Sequence, residues 1–89
     1  MRYTVYILYS EKDGGLYVGC TSDMKTRYAR HTSGGVPATR PRRPVHLIHY
    51  EEFSDKTSAF NRERFLKSLW GAREKNTIKK RYLVWLKQF

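Results

Sequence analysis

The apolar positions of this chain follow two different periods. Residues 3 to 9 (YTVYILY) are β-branched or aromatic at almost every position, which predicts a strand with both faces apolar, one that sits centrally in a sheet. Residues 10 to 15 (SEKDGG) are turn chemistry, with glycine free to take positive φ. Leu16 to Cys20 return as a second strand, with Leu16, Val18 and Cys20 on one face and Tyr17 and Gly19 on the other. The two strands form an antiparallel hairpin. Further on, residues 45 to 52 (VHLIHYEE) alternate enough to predict a third strand.

Between and after the strands the period lengthens. Thr21-Ser22-Asp23 offers N-caps for a helix over about residues 23 to 32, closed by Gly34-Gly35. Residues 33 to 44 read as a loop holding three prolines and Arg40, Arg42 and Arg43. Ser54-Asp55 caps a second helix over about 56 to 70, terminated by Gly71. A third helix is predicted over about 74 to 87, with Ile78, Tyr82, Trp85, Leu86 and Phe89 at amphipathic spacing. There is no internal repeat and no linker. The expected architecture is α+β, a three-stranded antiparallel sheet flanked by three helices in the order β-β-α-β-α-α, forming one domain over residues 1–89.

Charge changes the picture more than length does. The chain carries 18 Lys and Arg against 8 Asp and Glu, a net charge of +10, and 15% of its residues are aromatic. That is the electrostatic footprint of a nucleic-acid partner. A membrane partner is not expected: no run approaches the roughly 20 apolar residues of a bilayer span, and no lipidation motif is present. Cys20 is the single cysteine, so an internal disulfide is excluded, and no Cys/His cluster suggests zinc. Arg2 and Tyr3 lead directly into a strand pattern without an apolar leader, and the reducing cytoplasm is the expected compartment.

Candidate chemistry sits on the two capped helices. At about 100° per residue from Ala59, Leu66 lies at about 340°, Trp70 at about 20° and Glu63 at about 40°. Glu63 is thus a carboxylate inside an apolar stripe, which calls for a partner, a metal or water. Lys67, one turn on at about 80°, offers the simpler alternative of an i,i+4 ion pair. Measured from Met24 on the first helix, Tyr28 lies at about 40°, His31 at about 340° and Arg27 at about 300°, so Arg27 and His31 can converge on one site. Arg30, at about 240°, points away. A satisfied half-buried histidine is the plain alternative for His31. Tyr6 and Tyr17 share a sheet face in some hairpin registers, and ordinary core tyrosine is the alternative for both.

These residues resemble the GIY-YIG nuclease domain. The first motif is matched by Val5-Tyr6-Ile7 and the second by Tyr17-Val18-Gly19. Arg27 matches the family's first-helix arginine, and His31 the histidine four residues later. Residues 59 to 67 (AFNRERFLK) are similar to the family's glutamate helix, and Asn76 stands for its late asparagine. The likeness runs from residue 3 to about residue 76, and the loop TRPRRPV at 39 to 45 is similar to that of small stand-alone bacterial members.

The resemblance implies an endonuclease that hydrolyses phosphodiester bonds with one divalent ion, Mg²⁺ or Mn²⁺, held by Glu63. Arg27 would clamp the phosphate, and Tyr17, helped by His31 or Tyr6, would orient or deprotonate the attacking water. Gly19 would let the backbone approach the phosphate, and Lys67 would contact phosphate or pair with Glu63. Arg40, Arg42, Arg43 and Asn76 would contact the nucleic acid, DNA ahead of RNA, with little sequence preference. A non-catalytic nucleic-acid-binding module with the same fold is the competing expectation.

Overall fold

β1 (Tyr3–Ser10) lies between its two neighbours, as its doubly apolar sequence requires. It pairs antiparallel with β2 (Leu16–Thr21) on one side and with β3 (Val45–Phe53) on the other, giving the order β2-β1-β3. The structure is a computed structural model and describes residues 2–89. The elements run β1, β2, α1 (Met24–Ser33), β3, α2 (Lys56–Lys67) and α3 (Ala72–Leu86), the expected order. Short 3₁₀ turns at Arg40–Arg42 and Leu69–Gly71 complete the chain.

The alternation of β1 divides the core in two. Val5 and Ile7 point to one face, where Val18 joins them under Ala59 and Leu66 of α2 and Ile78 of α3. Tyr6 and Leu8 point to the other, with Val45 and Leu47 beside them and Tyr17, Met24 and Tyr28 packed on. Each fully buried aliphatic side chain stabilises the fold by about 1.5–3 kcal/mol relative to exposure. A register shift at Ile7/Leu8 leaves Ile48 as the extra residue of β3, so that His49 and Glu51 face α2.

Local chemistry sets the ends of the elements. The Asp23 carboxylate accepts from the Thr26 N–H, and Gly34 closes α1 at φ 87°. Asp55 caps α2 through the Ser58 N–H at 2.8 Å. This helix stops at Lys67, short of the predicted residue 70, because Ser68 turns into extended backbone and its hydroxyl donates to the Phe65 carbonyl at 2.6 Å. Trp70 therefore leaves the inward stripe and is 84% exposed. Gly71 is buried where a Cβ would lie 2.6 Å from Leu66 Cα, and α3 starts directly after it. Of the predicted α3 stripe only Ile78 is buried; Tyr82 is half-buried, and Trp85, Leu86 and Phe89 are exposed.

Two ion networks fix the layers to one another. Arg62 of α2 forks onto Glu51 of β3 at 2.8 and 2.9 Å and also pairs with Glu74 of α3. His49 bonds the same Glu51 at 2.7 Å. The Arg62 bonds hold the Glu51 carboxyl below its ordinary range, with His49 adding to the effect. At the hairpin turn, Arg42 reaches back to Asp13 at 3.0 Å and the Ser10 hydroxyl donates to the Arg42 carbonyl at 2.7 Å. The Asp13 carboxyl is lowered to about 2 by Arg42, then by the Gly15 N–H.

Candidate active site

Cross-strand pairing sets Tyr6 directly opposite Gly19. A Cβ at position 19 would lie 2.9 Å from Tyr6 Cε1 and nearer still to the phenol oxygen. Gly19 is buried under that ring, so its missing side chain makes room for Tyr6 rather than for an approaching phosphate. α1 supplies His31, wholly buried, with Nε2 2.9 Å from the Tyr6 hydroxyl. Its other nitrogen, Nδ1, lies 2.7 Å from Oγ1 of Thr39, also wholly buried. The histidine ring stands between two tyrosines, 5.6 Å from Tyr6 and 5.2 Å from Tyr17, edge-on to both. Tyr6 and Tyr17 thus share a face, one of the registers the sequence allowed.

Burial dictates the protonation of this chain of groups. The Tyr6 phenol is pushed up to about 12, first by burial and then by Tyr17, while Arg27 works against the rise. His31 is lowered by burial, then by the charges of Arg27 and Arg30. A protonated phenol therefore faces a neutral imidazole at neutral pH. A neutral imidazole has one N–H. With Tyr6 donating to Nε2, the Nδ1–H donates to Thr39, whose hydroxyl reaches the Val36 carbonyl at 3.5 Å. Every proton in the buried chain then has an acceptor.

The depressed His31 has a consequence for stability. Protonation favours the unfolded chain, so its contribution is present above the ordinary histidine pKa of about 6.5 and is lost as pH falls through the lower folded-state value. The urea midpoint is expected to fall between pH 7 and pH 5, and His31→Gln is expected to flatten that fall. An unchanged pH profile in the variant would contradict this account of His31.

Arg27 and Glu63 approach from different helices. The Glu63 charge raises both the Tyr6 phenol and the Cys20 thiol, and the Arg27 charge opposes it at both. Glu63 is 19% exposed and pairs with Lys67 at 3.0 Å, the i,i+4 pair that the spacing allowed. Arg27 lines a cleft of about 230 Å³ with Cys20, Thr21, Lys56 and Phe60. Tyr17 is half-buried, whereas Tyr6 and His31 are sealed from solvent.

The remaining predicted contacts are distributed differently. Arg40 donates to the Gly34 carbonyl at 2.7 Å and Arg43 to the Arg40 carbonyl at 3.1 Å, while both side chains stay on the surface. Arg42 is the departure: its guanidinium is half-buried on Asp13 and the Leu16 carbonyl instead of being open to a polyanion. Asn76 is exposed on α3. As a metal holder Glu63 stands without a cage, since among the described residues no group of three or more His, Cys, Asp or Glu converges. A single hard carboxylate at a partly exposed position fits Mg²⁺, which keeps waters and is bound with substrate phosphate, and does not fit a tetrahedral zinc site.

Residues 2–82 match the family model described as the GIY-YIG catalytic domain. The chain belongs to the GIY-YIG family. A UPF0213 protein of Natronomonas pharaonis is 41% identical over 75 residues, covering 83% of this chain and 87% of its own. One from Staphylococcus haemolyticus is 41% identical over 68 residues, covering 75% and 82%. The solution NMR structure of a UPF0213 protein from Bacillus halodurans matches with a TM-score of 0.56 at 34% identity, over 88% of this chain and 83% of that one. Within this GIY-YIG domain, one residue of the site escaped sequence reasoning, and so did the Arg62 network that ties α2 to β3 and α3. Thr39 lies in a Pro/Arg-rich loop with no periodicity to mark it. Arg62 lies at about 300° on the α2 ruler, flanking the stripe, where it meets Glu51 of β3.

Proposed function

We propose that this GIY-YIG domain is an endonuclease, hydrolysing phosphodiester bonds of nucleic acid, DNA ahead of RNA, with low sequence specificity and one divalent ion, Mg²⁺ or Mn²⁺. The observation that carries the reading is the packing of Tyr6, Tyr17 and His31 into one cluster, with Arg27 one turn before His31 on α1 and lining an open cleft. A guanidinium fork suits phosphate oxygens, so Arg27 is the clamp. Glu63 would hold the ion, releasing Lys67 to a phosphate oxygen. When bound, the ion supplies positive charge to the leaving oxygen. Exposure separates the two phenols: Tyr17 is open to the attacking water, and Tyr6 acts through His31, holding the ring against which Tyr17 packs. Solvent-facing Arg40 and Arg43 contribute backbone contacts, which give affinity without sequence preference.

The Glu63–Lys67 pair favours a second reading, a nucleic-acid-binding module whose carboxylate is already engaged. The two separate on labelled single-stranded, duplex and branched DNA and on RNA, each with Mg²⁺, Mn²⁺ or EDTA. The nuclease reading expects cutting with metal only, and a loss of about 100-fold in Arg27→Ala, the scale of removing one preorganised charge donor. Binding without cutting, on every substrate and metal, would leave the module.

A further inference from the structure

The last two turns of α3 and the residues after them carry an aromatic array that the proposed chemistry does not use. Tyr9 of β1 and Tyr82 of α3 lie 5.4 Å apart, Tyr82 and Trp85 stack at 6.0 Å, and Trp85 meets Phe89 at 4.8 Å. The inner end is packed against the sheet, and the outer end is open, with Trp85 51% and Phe89 87% exposed. Trp85 separates two grooves. One, of about 440 Å³, is lined by Ile48, His49, Tyr82 and Arg81; the other, of about 380 Å³, by Thr77, Lys80, Val84 and Arg81. Both grooves therefore have a wall of Trp85 and share the Arg81 side chain.

The charge that α3 and its tail bring to the array is nearly all of one sign, and Glu11, beside Tyr9 and Tyr82 at the inner end, is bonded to His46. From residue 72 onward the chain has Arg73, Lys75, Lys79, Lys80, Arg81 and Lys87 against one acidic side chain, Glu74, which is bonded to Arg62. Lys79 already lies 6.0 Å over the Tyr9 ring. A second copy of this chain would bring the same cations to the same place, so self-association is opposed by charge. An occupant must combine flat apolar faces with regular negative charge. Unpaired nucleobases on a phosphate backbone do so, because every base has a π-face to stack and every linkage an anion.

We infer that Trp85 and Phe89, with Arg81 and Lys79 beside them, form a platform that stacks unpaired bases of a single-stranded nucleic acid segment, DNA or RNA. It shares with the nuclease reading only the nucleic-acid partner and stands whether or not the chain cuts. Duplex DNA keeps its bases paired and stacked, and gains only the electrostatic contacts.

The test uses the full chain carrying Trp70→Phe, which leaves Trp85 as the single tryptophan, with EDTA to prevent cutting. Oligo-dT and oligo-rU of twelve nucleotides are expected to quench its fluorescence, and a duplex of equal length is not. In anisotropy titrations of the otherwise unaltered chain, Trp85→Ala and Phe89→Ala are each expected to weaken single-strand binding about tenfold, on the scale of one lost stacked base. Duplex binding is expected to stay within about twofold, and Trp85→Phe is expected to restore most of the single-strand affinity. Phe89 is exposed, so its truncation leaves the core intact. Equal losses on single strand and duplex would overturn the inference in favour of charge alone. A dimer in sedimentation that Phe89→Glu dissolves would assign the face to a second copy. A blue shift on phosphatidylserine vesicles without quenching by oligonucleotides would assign it to lipid.

Discussion

Glu63→Gln is expected to abolish metal-dependent cutting, by about 1000-fold or more, while folding and nucleic-acid binding persist. The substitution keeps the size of the side chain, removes its charge and turns one acceptor oxygen into an NH₂ donor. It takes away the carboxylate proposed to hold the ion. It also ends the charge pairing with Lys67, so affinity for a polyanion is expected to hold or rise slightly. Cleavage rate at saturating Mg²⁺, anisotropy with the same oligonucleotide and a thermal melt separate the three properties. Unchanged residual cutting by the purified variant would remove Glu63 from the chemistry and with it the proposed mechanism.

Gly19→Ala is the second large effect, and it begins as a packing defect. The added methyl would occupy the place of the Tyr6 ring, whose phenol oxygen and neighbouring carbons lie against Gly19. Tyr6 is completely buried and bonded to His31, so the ring has no free volume to enter. Overpacking of this kind costs about 1–3 kcal/mol. The displaced phenol also loses His31, and cleavage is expected to fall together with stability. Combining Gly19→Ala with Tyr6→Leu vacates the ring, and the double variant is expected to be less destabilised than the sum of the single changes. Strict additivity in urea unfolding would show that Gly19 acts through something other than Tyr6.

The sheet was legible because its signals are local. A strand that is apolar on both faces has to be central, and the alternation of Leu16, Val18 and Cys20 against Tyr17 correctly separated the two faces. That Tyr6, Tyr17 and His31 meet was legible because strand alternation and helix periodicity each report on a single element. What failed was extrapolation past an element's end. Trp70 obeyed the α2 ruler, but one serine turned the chain two residues earlier. The α3 stripe obeyed the helical period and still lies mostly in solvent, because a period marks the apolar face of a helix without saying what covers it. Nothing local in the sequence marks Arg42 as paired, because its partner, Asp13, stands 29 residues away in the chain. The alternatives left open for Tyr6 and His31 turned out to coexist: both are satisfied core residues, and both are in the candidate site.

Thr39 makes the loop between α1 and β3 part of that site. Surface connections ordinarily absorb insertions and exchanges, since their length costs little and their contacts are few. This one contributes the hydroxyl that meets His31 Nδ1, and its arginines anchor it to the end of α1 and to the hairpin turn. A graft of another loop of equal length would keep the sheet and the three helices and still cost the imidazole its partner. The tip of the hairpin at Lys12 is the better place to attach a tag or a second domain, and the segment at 34–44 is better left intact.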